Sequence, residues 1–200
     1  MKKIILASSS PRRKTILGLT GLDFTIDVGD YEEDMTLNMS PKDLAIHLSR
    51  GKAESVIARN PDSIVIAADT FCVLEGKLLG KPKTPERAKT MLASLSGTQH
   101  AVISGVTIVD TASGQKKSWA EVTTVHFRPI TESEINAYVA TGEALDKAGA
   151  YAFQEKGGIF VEKIIGDYYN VIGLPLCSLV QSLKDFGVEC LSLDKSLKIG

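Results

Sequence analysis

Three cations follow one another where local rules place the start of a helix. Arg12, Arg13 and Lys14 come directly after Ser10 and Pro11, which are typical of a helix N-cap and a first helical position. That end of a helix carries partial positive charge and normally prefers acidic residues. A strand-fed helix end with two guanidinium groups suits a polyphosphate, whose oxygens arginine can bind two at a time. The alternative is a solvated basic patch beside an ordinary N-cap.

The second candidate is one acidic residue that follows an apolar run. The run from Ser63 to Ala68 predicts a central strand, and Asp69 then falls at its carboxyl end, where open α/β sheets place their ligands. An ionised Asp69 could hold a divalent cation or accept a proton from water. The alternative is that Asp69 caps the following turn.

Two lysines, an acidic run and a glutamine are further candidates. Lys52 lies on the apolar side of a predicted helix, so it either snorkels to the rim or reaches into a cleft. Lys81 stands between a glycine and a proline, in a loop suited to approaching an anion; the alternative is an ordinary surface lysine. The acidic residues 32–34 are typical of a solvated run and only weakly indicate a metal site. Gln154 offers both a donor and an acceptor, which suits the edge of a nucleobase.

Alternating strands and helices must position these residues, and the pattern predicts a mixed α/β fold. Strands are predicted over 3–7, 63–68, 72–74, 102–109 and 121–127. Helix starts are predicted at five places: Ser10, Ser40, Thr84, Thr131 and Pro175. No linker is visible, so residues 1–200 are expected to form one domain, or two lobes that share a core. Residues 141–173 are the least regular and are expected to be functional.

Composition excludes several classes of protein. The net charge of −1 provides no global field for nucleic acid or a membrane surface, and the apolar runs are too short to span a bilayer. We expect a cytoplasmic protein. Cys72, Cys177 and Cys190 are too widely spaced for a metal site and are expected to be buried free thiols. P-loop, dinucleotide-binding, zinc-protease and serine-hydrolase motifs are absent from the sequence.

Several motifs together resemble the Maf family of nucleotide pyrophosphatases. They are ASSSPRR, AADT leading to GKP, SGTQH with SGVTI, TGEALDKAGAYAFQ and GDYYNVIGLPL, in order along nearly the whole chain. The resemblance implies a two-lobed fold similar to that of inosine triphosphate pyrophosphatases, with a cleft between the lobes. It also implies hydrolysis of a nucleoside triphosphate to the monophosphate and pyrophosphate with a divalent cation, Mg²⁺ or Mn²⁺, and a homodimer.

The resemblance also assigns roles to individual residues. Asp69 matches the catalytic acidic residue, and Glu33 matches a functional carboxylate that would join Asp69 at the metal. The expected phosphate-binding residues are Ser8, Arg13, Lys52 and Lys81.

Base selection is assigned in the same way to Arg12, Thr70 and Gln154, whose identities resemble the branch that acts on dTTP and UTP. The sister branch, which acts on 7-methyl-GTP, typically has an aromatic residue, Gln and Glu at these positions. The chain departs from the usual family pattern at Ala152 and Phe153, beside the expected base pocket.

Three other functions compete with this interpretation. The enzyme could act on modified nucleotides, with dTTP and UTP as incidental substrates. The protein could instead be a nucleotide-sensing regulator of cell division, although an acidic residue among three cations favours catalysis. A nucleic-acid binder that uses SPRRK is disfavoured by the near-zero net charge.

Overall fold

The computed structural model describes residues 2–190, which form a seven-stranded sheet flanked by six α-helices. The strands are β1 Lys3–Leu6, β2 Phe24–Ile26, β3 Ser63–Leu74, β4 Lys77–Leu79, β5 Gln99–Asp110, β6 Lys116–Phe127 and β7 Val161–Ile165. The helices are α1 Pro11–Gly18, α2 Pro41–Ile57, α3 Pro85–Leu95, α4 Glu132–Ala140, α5 Tyr168–Ile172 and α6 Leu176–Leu183. The predicted domain boundaries of 1 and 200 lie outside the described residues.

The predicted helix starts are confirmed. The side chains of Ser10, Ser40 and Thr84 each accept a hydrogen bond from the backbone N–H three residues on, and each is followed by proline. At the predicted start Thr131, the side chains of Thr131 and Glu134 form a capping box. These bonds involve only neighbouring residues, which is why the sequence alone predicts them.

The fold is mixed α/β, as predicted, and the sheet has both parallel and antiparallel strands. Its strand order is β2-β1-β3-β5-β6-β7, with β4 paired to another stretch of β3. Strand β1 runs parallel to both β2 and β3, and the remaining pairs are antiparallel. Strands β3, β5 and β6 have 12 residues each and are the longest of the seven.

One prediction about β3 is wrong. The separate strands predicted at 63–68 and 72–74 are a single strand, so Asp69 lies inside β3 and not at its carboxyl end. The reason is the register with β5, which pairs without interruption from Ile64 opposite Asp110 to Val73 opposite Ala101. The carboxyl end that does open near Asp69 belongs to β1, whose last partner on β3 is Ile66.

Four apolar clusters cover the two faces of the sheet. Helix α2 lies along one face, where Leu48 packs with Phe71 and Val56 packs with Val65. On the other face, α1 and α6 cover one half of the sheet, and α3 and α4 cover the other half. On this face the sheet thus carries two separately covered regions.

The structure also tests the predictions for residues 141–173 and for the cysteines. Residues 141–173 do contain short elements, namely three 3₁₀ turns, β7 and α5, which local patterns missed. Cys72 is buried as expected, but Cys177 is exposed, because α6 turns Leu179 and Leu183 toward the core and Cys177 away from it.

Within residues 2–190, no helix combines the length and apolar character needed to cross a membrane.

Candidate active site

A cleft opens where one edge of β3 has no neighbouring strand among the described residues. Strand β1 ends opposite Ile66, and β4 begins to pair only at Cys72. Asp69 and Thr70 lie in this interval, and their side chains point to opposite faces because successive strand residues alternate. The cleft has a volume of about 800 Å³ and is lined by both residues.

Asp69 is joined to helix α2 by an ion pair. The Lys52 ammonium donates a hydrogen bond to Asp69 Oδ1, and the Lys52 Nζ atom lies 2.8 Å from Glu33 Oε1. The Asp69 side chain is 9% exposed, that of Lys52 is 16% exposed and that of Glu33 is 45% exposed. Of the two alternatives for Lys52, the cleft is therefore correct. Asp69 caps no turn, because it lies within a strand.

The carboxylates of Glu33 and Asp69 are the candidate ligands for a metal ion. Glu33 and Asp69 converge on one positive charge, the Lys52 ammonium. No cluster of three or more His, Cys, Asp or Glu residues suited to a metal occurs within residues 2–190. Mg²⁺ commonly takes one or two carboxylates and completes its shell with water and substrate phosphates. The two carboxylates fit that kind of site.

Three hydrogen bonds orient the Arg13 guanidinium. Its Nε donates to Gly173 O at 2.9 Å, its Nη1 to Ser8 Oγ at 3.2 Å and its Nη2 to Thr70 Oγ1 at 3.1 Å. The pKa of Arg13 is lowered, because burial disfavours its charged form. The negative charge of Asp69 offsets part of this effect. Arg12 also lines the cleft, whereas Lys14 is exposed and lies outside its lining. Only two of the three clustered cations therefore face the cleft.

Thr70 belongs to the same hydrogen-bond network. Its hydroxyl lies 2.7 Å from Ser104 Oγ and 3.2 Å from Gly173 O, in addition to its contact with Arg13. The network joins α1, β3, β5 and the segment after α5. Thr70 therefore orients Arg13, and its predicted role in base selection stays a prediction.

The opposite wall of the cleft comes from the segment that the sequence shows as least regular. Gln154 is exposed and has no hydrogen-bond partner among residues 2–190, so its amide is available to a ligand. Phe153 lines the cleft beside it, and its ring centroid lies 5.3 Å from that of Tyr168. Lys81, in the loop after β4, is also exposed on this side.

The cleft is more basic than the sequence candidates alone indicated. Lys83 and Lys147 also line it, and Lys147 pairs with Asp146 at 2.8 Å. Lys83 has a positive φ of 66°, which local patterns do not reveal. Across the described lining, six basic side chains face three acidic ones. A chain with a net charge of −1 thus concentrates positive charge at one site.

Comparison with known proteins identifies the family. A family model described as "Maf-like protein" matches residues 3–186. The chain belongs to the Maf-like family. The sequence resemblance is thereby confirmed, and the cleft described above is that of a Maf-like protein.

Named relatives of this Maf-like protein are close in sequence. It is 48% identical over 189 residues to a "dTTP/UTP pyrophosphatase" of Bacillus cereus (strain ATCC 10987 / NRS 248), covering 94% of this chain and 92% of the relative. A Bacillus anthracis relative of the same name is also 48% identical, covering 94% and 98%.

The predicted fold class of this Maf-like protein is also confirmed. Its fold is similar to that of the Staphylococcus aureus Ham1 protein, with a TM-score of 0.50 and 16% identity over 94% of this chain and 100% of the other. At that identity the similarity concerns the fold alone.

The Maf-like structure brings every site residue predicted from the sequence to one cleft. The nine residues are Ser8, Arg12, Arg13, Glu33, Lys52, Asp69, Thr70, Lys81 and Gln154. They come from six separate parts of the chain, and their chemical roles stay predictions.

Proposed function

We propose that this Maf-like protein hydrolyses dTTP and UTP to the monophosphate and pyrophosphate. The observation that carries the proposal is the cleft, in which a buried carboxylate lies among an excess of basic side chains. A polyphosphate is the ligand that such a charge distribution favours. The names of the 48% identical relatives support the choice of dTTP and UTP.

The basic residues would bind the triphosphate. Arg13 is already oriented by Ser8 and Thr70, so little rotamer freedom is lost when it binds phosphate oxygens. Lys52 and Lys81 approach the cleft from opposite walls. Together they neutralise negative charge that develops on the leaving pyrophosphate.

Asp69 would act on the attacking water. In this mechanism a water oxygen bonds to the α-phosphorus while the bond from that phosphorus to the bridging oxygen breaks, and pyrophosphate leaves. Asp69 orients the water and accepts its proton. The hydrogen bond from Lys52 fixes the direction of the carboxylate.

We further propose that Asp69 and Glu33 hold a divalent cation, Mg²⁺ or Mn²⁺. Both carboxylates already converge on a cation, the Lys52 ammonium, which supports this assignment. A bound divalent cation would supply polarisation of the phosphate oxygens. Substrate phosphates would complete its ligands.

Base selection would fall to the wall that carries Gln154, with Arg12 and Thr70. The unpaired amide of Gln154 can donate to one carbonyl of a pyrimidine and accept from its ring N–H. The ring of Phe153 closes the pocket beside it.

We also propose a cytoplasmic homodimer. The three free cysteines support a reducing compartment, and the family resemblance supports the dimer.

The proposal is tested by pyrophosphate release from dTTP, UTP, CTP, ITP, 7-methyl-GTP and base-modified pyrimidine triphosphates with Mg²⁺ or Mn²⁺. Turnover of dTTP and UTP that is lost in Asp69→Asn is the expected result. Faster turnover of the modified nucleotides would instead identify them as the substrates. Nucleotide binding without turnover anywhere in the panel would contradict an enzymatic function and favour a regulatory one.

A further inference from the structure

The segment that carries Glu33 lies along helix α2 in a regular register. Residues 27–34 form no helix or strand, yet Asp27, Gly29 and Tyr31 are partly buried while Val28 and Asp30 are exposed. Alternation with a period of two is typical of extended chain. All three residues of the acidic run 32–34 are exposed, and Glu33, at the position that continues the two-residue spacing, pairs with Lys52 at 2.8 Å.

The inward residues Asp27, Gly29 and Tyr31 contact residues that are four positions apart, within α2 or two residues beyond its end. Asp27 accepts hydrogen bonds from the Arg59 guanidinium at 2.7–3.0 Å. The backbone at Gly29 lies so close to Ser55 that an added Cβ would be 1.8 Å from its Oγ. The next contact in this series is between Tyr31 and Gly51.

The Tyr31 ring rests directly on the backbone of Gly51. A Cβ added at Gly51 would lie 2.2 Å from Cε2 and Cζ of that ring. Only glycine permits this approach from the interior of a 17-residue helix. Lys52, the partner of Glu33 and Asp69, is the next residue along the helix.

The two-residue repeat of the extended segment and the four-residue repeat of α2 are similar in length. Two residues of extended chain rise about 6.6 Å, and four residues of helix rise about 6 Å. The partners of residues 27, 29 and 31 can therefore be residues 59, 55 and 51 in turn, with the segment running antiparallel to α2. A shift by one residue would turn Glu33 outward.

We propose that Gly51 and Tyr31 are positioning residues for the active site, which fix the 27–33 segment on α2 and thereby hold Glu33 against Lys52. An ion pair with a partner as exposed as Glu33 contributes little to holding its own geometry. The contacts at Tyr31 and Gly51 supply the constraint that this pair lacks. The inference rests on the proposed function for its kinetic test, although not for its structural test.

The test combines Gly51→Ala and Glu33→Gln in a double-mutant cycle with UTP as substrate. Alanine displaces the Tyr31 ring, and we expect kcat to fall about 10- to 100-fold, as for other misplaced active-site groups. In the Glu33→Gln protein, Gly51→Ala should cause little further loss. Losses that multiply in the double variant would overturn the proposal.

Hydrogen–deuterium exchange supplies a readout that does not depend on activity. Gly51→Ala should speed exchange in residues 27–34 and leave the sheet unchanged, although alanine favours a helix more than glycine does. Gly18→Ala is the matched control, because a Cβ there meets nothing within 4 Å; we expect no change in exchange or kcat. If Gly51→Ala does not fold, Tyr31→Ala removes the same contact without adding an atom to α2.

The two proposals fail in distinguishable ways. A wild-type protein without turnover of UTP would overturn the proposed function, and the exchange comparison would still decide the role of the segment. Exchange in residues 27–34 that is equal in wild type and in the Gly51→Ala or Tyr31→Ala variant would overturn the positioning role even in an active enzyme.

Discussion

The ammonium of Lys52 on α2 donates a hydrogen bond to the carboxylate of Asp69 on β3. Asp69 and Lys52 are both largely buried in the wall of the cleft. Because β3 has no neighbouring strand at this point among residues 2–190, a ligand in the cleft can reach the Asp69 carboxylate. Asp69 therefore lies at the centre of the candidate site.

Replacement of Asp69 by Asn should abolish most turnover. We expect kcat for UTP to fall by about 10²- to 10⁴-fold, the usual contribution of a positioned acid or base, because the amide cannot accept a proton from water. Nucleotide binding should be largely retained. Pyrophosphate release and equilibrium dialysis with UTP measure the two quantities. A variant with near-normal kcat would remove Asp69 from the reaction.

Replacement of Thr70 by Val should weaken the site through Arg13. Valine keeps the shape but leaves a guanidinium N–H and the Ser104 hydroxyl with one partner fewer. We expect the free energy of unfolding to fall by about 1–3 kcal/mol and kcat/KM to fall equally for dTTP and UTP. Urea unfolding and steady-state kinetics measure both quantities.

Thr15→Val on the exposed side of α1 is the matched control for this change. Its effect on the free energy of unfolding should stay within about 0.5 kcal/mol. Unaltered kinetics in Thr70→Val would show that Arg13 does not need this hydroxyl.

Replacement of Gln154 by Glu should reduce the use of pyrimidine nucleotides. The change removes the amide donor and adds a negative charge to the wall of the cleft. We expect kcat/KM for UTP and dTTP to fall at least tenfold, mainly through KM. The kinetics of both substrates, with Glu155→Gln as a neighbouring exposed control, measure the effect. An unchanged value for UTP would exclude Gln154 from base selection.

A buried histidine predicts how stability depends on pH. Burial, assisted by nearby His126, lowers the pKa of His100 from 6.5 to about 4, and its Nε2 lies 2.8 Å from the Tyr151 hydroxyl. Between pH 6.5 and 4 the unfolded chain binds this proton and the folded chain does not, so stability falls as the pH falls. The loss across that window is about 3 kcal/mol.

His100→Gln should flatten this dependence, because glutamine does not titrate. Urea unfolding at pH 7, 6, 5 and 4 measures the difference between the two proteins. Parallel curves for wild type and variant would show that His100 already binds its proton in the folded state.

Local sequence determined much of this protein. The caps at Ser10, Ser40 and Thr131 and the prolines that follow two of them involve atoms within a few residues, so the helix starts could be predicted. The motifs were sufficient to indicate the family and nine residues that line the cleft. The chemical groups that these side chains offer are set by residue type, which the sequence shows directly.

Only the tertiary structure decided how those residues meet. The continuous pairing of β3 with β5 places Asp69 inside a strand, and the end of β1 makes its edge accessible. The direction of Lys52, the approach of Lys147 and the register of Tyr31 on Gly51 depend on segments brought together from distant parts of the chain. Patterns within one segment carry no information on such register, because it is set by packing between segments.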